Sequence, residues 1–302
     1  MTVFQRYLAE EIALDHADGL IARREALRRL SMLGLGLPAA SALLAACGGG
    51  DGEGGTSTPA ASPRPSAAPS SGPAQVATQP VTFDGPEGRT LRGAWAPAAA
   101  SPKGAVLVIH ENRGLTDHIR SVAGRFAASG YSALAIDLLS EEGGTAALGG
   151  EAEAMAALAR APQDRFAADM RAGVAELARR VPDAKIGAVG FCFGGGMTWL
   201  LLASKEPRVA AAAPFYGPLP EGADFSGAKA AVLGIYAELD QRVNATRDAA
   251  KAALERAGLT YEMVTYPGAN HAFFNDTGPR YNPAAAAQAY QRVLDWFGKH
   301  LA

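Results

Sequence analysis

The sequence predicts an α/β protein whose central sheet is mostly parallel and covered by helices on both faces. Short continuous apolar runs recur after residue 100, the pattern of strands buried on both faces. Stretches of helical periodicity alternate with them. Alternation of this kind favours parallel pairing through crossover helices. Residues 76–302 have the size of one such domain.

The elements follow in order. Val76–Phe83 and Thr90–Ala96 flank Asp84-Gly85-Pro86-Glu87-Gly88 and read as a hairpin. Ala105–His110 is an uninterrupted apolar strand. Residues 117–129 carry helical periodicity and stop at Gly130, and Tyr131–Ile136 is the next strand. Two helical stretches, about 151–160 and 164–180, precede a strand at Lys185–Gly190. A helix from about Gly194 to Ser204 leads to strands Val209–Phe215 and Ala230–Tyr236. A helix at about 245–257, a strand at 260–266 and a last helix at 284–300 complete the series.

The region before residue 76 is of another kind. Residues 1–47 read as an N-terminal extension, with mixed charge and some helical periodicity in residues 1–21. Arg23-Arg24 opens a basic stretch, and the 17 residues Leu30–Ala46 are uncharged. That stretch is short for a membrane span, which needs ~20 apolar residues. A basic region before a modest apolar one is the layout of an export signal, and the arginine pair resembles the twin-arginine type. Leu44-Ala45-Ala46-Cys47 resembles a lipobox, which makes Cys47 the expected lipidation site and predicts a membrane-anchored envelope protein. Residues 48–75 read as a flexible linker, since 23 of the 26 residues 48–73 are Gly, Pro, Ser, Thr or Ala.

Composition narrows the function. Lys+Arg (28) nearly balances Asp+Glu (30), which argues against a broad basic face for nucleic acid. The two cysteines, Cys47 and Cys192, rule out a disulfide framework and a four-cysteine zinc site. The five histidines are scattered without H-E-x-x-H, so neither metal nor cofactor is expected. His16, His118 and His300 read as solvated, and His110 ends a core strand.

Strand ends are where parallel sheets place chemistry. Gly190-Phe191-Cys192-Phe193-Gly194 is a nucleophile elbow with Cys in the Ser position. A helix starting there aims its N-terminus at the sulfur, which favours the thiolate. Asp240 follows the strand at 230–236, with an N-cap role as the simpler alternative. His271 follows the strand at 260–266 in Gly268-Ala269-Asn270-His271. Nucleophile, acid and histidine occur in the order of α/β hydrolases, so Cys192, His271 and Asp240 are the candidate triad.

Residues 104–302 resemble the dienelactone hydrolase family of the α/β-hydrolase superfamily. The resemblance rests on Val108–Gly114, Gly130-Tyr131, Ile136-Asp137-Leu138, the Gly190–Gly196 elbow, Phe215-Tyr216-Gly217, Asp240 and Pro267–Phe273. It implies an α/β-hydrolase fold and cleavage of small-molecule esters or lactones through a thioester. Glu111 matches a family glutamate that contacts the resting thiol, although it could instead pair with Arg113. The backbone N–H groups of Phe193 and Asn112 are the expected oxyanion donors. Family members acting on dienelactone hold its carboxylate with arginines, and one of those positions is Asn275 here. Arg113, Arg280 and Tyr216 are the remaining substrate-binding candidates, with Phe274 and Trp199 as further pocket residues. A cysteine acyltransferase or thioesterase, or a non-catalytic binding lipoprotein, are the alternatives. No oligomeric state is fixed by these features.

Overall fold

The computed structural model describes residues 1–47 and 74–301. The chain divides into two compact units, one formed by Met1–Leu8 with Gln75–Ala302 and the other by Ala9–Ala74. The first eight residues, which the sequence groups with the extension, thus belong to the unit carrying the sheet. Most of the expected linker lies outside the described residues.

Helix α1 (Val3–Ala17) runs from the first unit into the second. Its start is a reciprocal cap. Thr2 Oγ1 accepts from the Gln5 N–H at 3.2 Å, and Gln5 Oε1 accepts from the Thr2 N–H at 2.9 Å. In the second unit, α2 (Arg23–Met32) opens on the arginine pair, and Glu25 bridges Arg28 and Arg29. A break at Leu33–Gly36, with Gly34 at φ +87°, separates it from α3 (Leu37–Cys47). The uncharged stretch is therefore split between the last residues of α2 and α3, and no helix among the described residues is long and apolar enough to cross a membrane.

The first unit holds an eight-stranded sheet. Its strands are β1 (Gln79–Asp84), β2 (Thr90–Ala96), β3 (Ala105–Ile109), β4 (Ser132–Asp137), β5 (Ile186–Phe191), β6 (Val209–Phe215), β7 (Ala231–Ala237) and β8 (Tyr261–Tyr266). Their order is β1-β2-β4-β3-β5-β6-β7-β8. The hairpin strands β1 and β2 pair antiparallel, and every pairing from β4 to β8 is parallel. All five residues of β3 are fully buried, each large apolar one contributing about 1.5–3 kcal/mol.

Helices cover both faces. The helices α4 (Asp117–Ala128) and α10 (Pro283–His300) meet through Phe126, Tyr290 and Phe297. Opposite them α6 (Gln163–Arg180) meets α7 (Phe193–Ala203) through Phe166 and Phe193. The remaining helices are α5 (Glu151–Arg160), α8 (Gln241–Asn244) and α9 (Arg247–Arg256). The strand order reverses between β3 and β5, so the crevice at their carboxyl ends is the place for a site.

Candidate active site

Cys192 stands between β5 and α7 with φ +57° and ψ −120°, in a left-handed region that a non-glycine residue occupies only when its surroundings hold it there. The surroundings do. A Cβ on Gly190 would lie 2.0 Å from the Gly194 carbonyl oxygen, and one on Gly194 would lie 2.3 Å from that of Ile109. The Cys192 N–H donates to the Phe215 carbonyl at 3.1 Å, which ties the turn to β6. These contacts explain the glycine pattern of the elbow in steric terms.

Asp240 and His271 form a buried pair, with Nδ1 of His271 2.5 Å from Oδ2 of Asp240. Asp240 Oδ1 also accepts from the Val243 N–H at 3.3 Å, capping α8. Asp240 thus meets His271 through one oxygen and caps α8 through the other. A ring nitrogen of His271 lies within 4.8 Å of the Cys192 sulfur. The structure thus brings the three candidate triad residues together from the ends of β5, β7 and β8. The N–H groups of Phe193 and Asn112 meet no acceptor among the described residues, and the two residues follow the carboxyl ends of β5 and β3.

Glu111 is placed differently from expectation. Its carboxylate accepts from Asn275 Nδ2 at 2.6 Å and is not bonded to the thiol. Asn275 Oδ1 accepts in turn from the N–H and hydroxyl of Thr277, at 3.0 and 2.7 Å. The residue that occupies an arginine position of the family thus serves as a neutral donor to Glu111. Arg113 does not pair with Glu111 either. It reaches outward to Glu151 at 2.9 Å, both side chains being largely solvated. Arg280 is half-buried in the loop before α10.

His110 organises this rim. Its Nε2 accepts from the Leu138 N–H at 3.0 Å, so Nδ1 carries the proton toward the Glu111 carbonyl at 2.6 Å. Burial holds its pKa below the ordinary value, partly opposed by Asp137, and favours the neutral ring. Tyr216 lies with its ring centroid 5.1 Å from that of His271. Burial, then the neighbouring Glu111 and Cys192, raise its phenol well above the usual range. Phe274 stacks on Phe191, and Trp199 stacks on Phe225 in the core.

One expectation is corrected outright. His118 is not solvated but buried, with Nδ1 2.8 Å from Asp276 Oδ1. Arg125 reaches the other oxygen of Asp276.

Sequence reasoning missed Tyr7. Its hydroxyl donates to Cys192 Sγ at 3.2 Å and lies 3.2 Å from His271 Nε2. The Arg242 guanidinium covers its ring at 4.3 Å. The available signal was the spacing of Phe4 and Tyr7, which puts two aromatic side chains on one helix face.

Residues 91–301 match the family model described as the dienelactone hydrolase family. A "Putative carboxymethylenebutenolidase" of Methylorubrum extorquens is 34% identical over 221 residues, 68% of this chain and 75% of that protein. A protein of the same name from Escherichia coli is 31% identical over 212 residues, 66% of this chain and 78% of its own. Among solved structures, a "Putative Dienelactone Hydrolase" from Klebsiella pneumoniae superposes with a TM-score of 0.65 at 29% identity, covering 74% of this chain and 100% of that one. A dienelactone hydrolase from Anabaena variabilis, 23% identical, shares the fold with a TM-score of 0.60, covering 75% of this chain and 100% of its own.

Proposed function

Because this chain belongs to the dienelactone hydrolase family and is a hydrolase of that type, we propose that it cleaves carboxylic esters or lactones through a Cys192 thioester. The observation that carries this reading is the convergence of Cys192, His271 and Asp240, with the His271–Asp240 bond buried and 2.5 Å long. Asp240 holds the proton of His271 on Nδ1, which leaves Nε2 facing the sulfur side to exchange protons.

In the first half-reaction the Cys192 thiol passes its proton to His271 Nε2 as the sulfur attacks the ester carbonyl. The resulting oxyanion is met by the N–H groups of Phe193 and Asn112. Collapse expels the leaving oxygen, which takes a proton from His271 Nε2, and a thioester remains. In the second half-reaction His271 takes a proton from water, and the hydroxide attacks the thioester. The acid leaves and the thiol is restored. A thiolate is itself a good leaving group, so esters with stabilised leaving groups, such as enol lactones and aryl esters, are favoured over amides.

The test is turnover of p-nitrophenyl acetate by the full chain and by Cys192→Ala. The substitution is expected to abolish turnover at least about 10³-fold, as for loss of a nucleophile acting in a triad. Undiminished turnover would remove Cys192 from the reaction.

The reading extends to the chain's destination. Arg23-Arg24, the uncharged stretch to Ala46 and Cys47 support export by a twin-arginine-type signal and lipid attachment at Cys47. Residues 48–73 would then tether the hydrolase to a membrane surface.

A further inference from the structure

We propose that the first turns of α1 are an intramolecular plug, in which the Tyr7 phenol occupies the place of an aromatic leaving group. The inference rests on the reading of Cys192 and His271 given above. Tyr7 is buried, and its hydroxyl touches both reacting atoms, Cys192 Sγ and His271 Nε2, at 3.2 Å each. That position is where the oxygen of a departing alcohol must sit to take its proton from Nε2. A substrate carbonyl cannot approach the sulfur while the phenol stays there.

The seat is built for the segment. The Arg242 guanidinium lies over the Tyr7 ring, and its Nη1 donates to the Tyr7 carbonyl at 3.0 Å. The His271 ring meets the Tyr7 ring edge-on, with centroids 6.1 Å apart. One turn earlier, Phe4 packs edge-on against Phe193, the residue whose N–H is the expected oxyanion donor. A Cβ on Gly196 would lie 2.5 Å from the Phe4 ring, so the elbow helix leaves room for it only as glycine. Gln5 Nε2 donates to the Ala159 carbonyl at 2.9 Å, a third anchor. Aromatic contacts, a cation over the ring and a hydroxyl 3.2 Å from both reactive atoms together describe recognition of a phenol. The chemical class indicated for the vacated slot is therefore an aryl ester. Tyr7 also precedes Cys47 in the chain, so processing at Cys47, on the reading above, removes the plug and leaves the hydrolase open.

The test uses the full chain and two readouts. Alkylation of Cys192 by iodoacetamide is followed by mass spectrometry of its own peptide, and ester turnover is followed with phenyl acetate. Tyr7→Ala is expected to speed both by about tenfold or more, the scale of a mostly closed population opening. Phe4→Ala, which leaves the hydroxyl in place but loosens its anchor, gives a smaller rise in both. Added p-cresol, the side chain of tyrosine as a free molecule, should slow alkylation in Tyr7→Ala and leave the parent chain unaffected, while cyclohexanol protects neither.

Equal alkylation rates in the parent chain and Tyr7→Ala would overturn the plug. So would faster alkylation with slower turnover, which would make Tyr7 a proton donor to the reaction. Absence of p-cresol protection would overturn the phenol slot. If Tyr7→Ala speeds alkylation while Cys192→Ala still turns over ester, the plug stands and the nucleophile assignment fails instead.

Discussion

Replacing Asn275 by Asp tests the architecture around Glu111 with one atom exchanged. Asn275 Nδ2 donates to the buried Glu111 carboxylate at 2.6 Å, and its Oδ1 serves Thr277. Asn275→Asp keeps the shape and the bonds from Thr277. It turns the donor into a second acceptor oxygen. Two carboxylates with charge centres about 4 Å apart repel by about 4 kcal/mol at an effective dielectric of about 20. The pair can avoid this by sharing a proton, which costs about 1.4 kcal/mol for each pH unit above an ordinary carboxyl's titration near 4. The penalty should therefore be about 1–2 kcal/mol at about pH 5. It should level off near 4 kcal/mol above about pH 7, where the two costs meet. The sign follows from linkage: the folded variant binds a proton that its unfolded chain does not, so its stability falls as pH rises. Urea unfolding of the parent chain and the variant, at about pH 5 and about pH 8, measures the difference directly. An equal loss at both pH values, or none at either, would refute the reasoning.

Two further outcomes are expected. His118 first, then Arg125, hold the Asp276 carboxyl down at about 2 against the opposing effect of burial. The resulting stabilisation is fully present above the ordinary carboxyl range and is lost as pH falls toward 2. Allowing for partial exposure of the carboxyl, Asp276→Asn should cost about 1–2 kcal/mol at neutral pH, with the gap closing below about pH 3. Unfolding midpoints that differ equally at both pH values would contradict this. For the exported form, intact mass of the envelope-purified protein should show an N-terminus at Cys47 carrying lipid, and an unmodified N-terminus upstream of it would sink the export reading.

The strands were legible because burial on both faces leaves unbroken apolar runs such as Ala105–Ile109. The elbow was legible because its steric requirement falls on consecutive residues. Contacts between segments far apart in sequence left no such trace. Helix α4 carries Asp117, Arg120 and Arg125 around His118, and a local reading makes that face polar. Its burial depends on Asp276, 158 residues away. Glu111 reads as a carboxylate at a strand end, but its partner Asn275 lies 164 residues further on and shows in the sequence only as an absent arginine. Helix α8 has only four residues, too few to show a period, although Asp240 carries the signature of a cap. Tyr7 was hidden by its neighbourhood. An aromatic residue ahead of an export-like segment carries no sign of the sulfur it touches, 185 residues away.

The parallel strand order has a consequence for how activity first arises in a newly made chain. The groups of the site come from the ends of β3, β5, β7 and β8, and β8 is the outermost strand of that side of the sheet. Each parallel pairing closes a long loop before any contact rewards it, so such sheets form slowly. His271 follows β8 and reaches Asp240 only once that strand has docked on β7. A molecule folded through β6 holds a sulfur on a finished turn and no base beside it. On the proposed triad, hydrolysis therefore requires the whole parallel half of the sheet, out to its last strand.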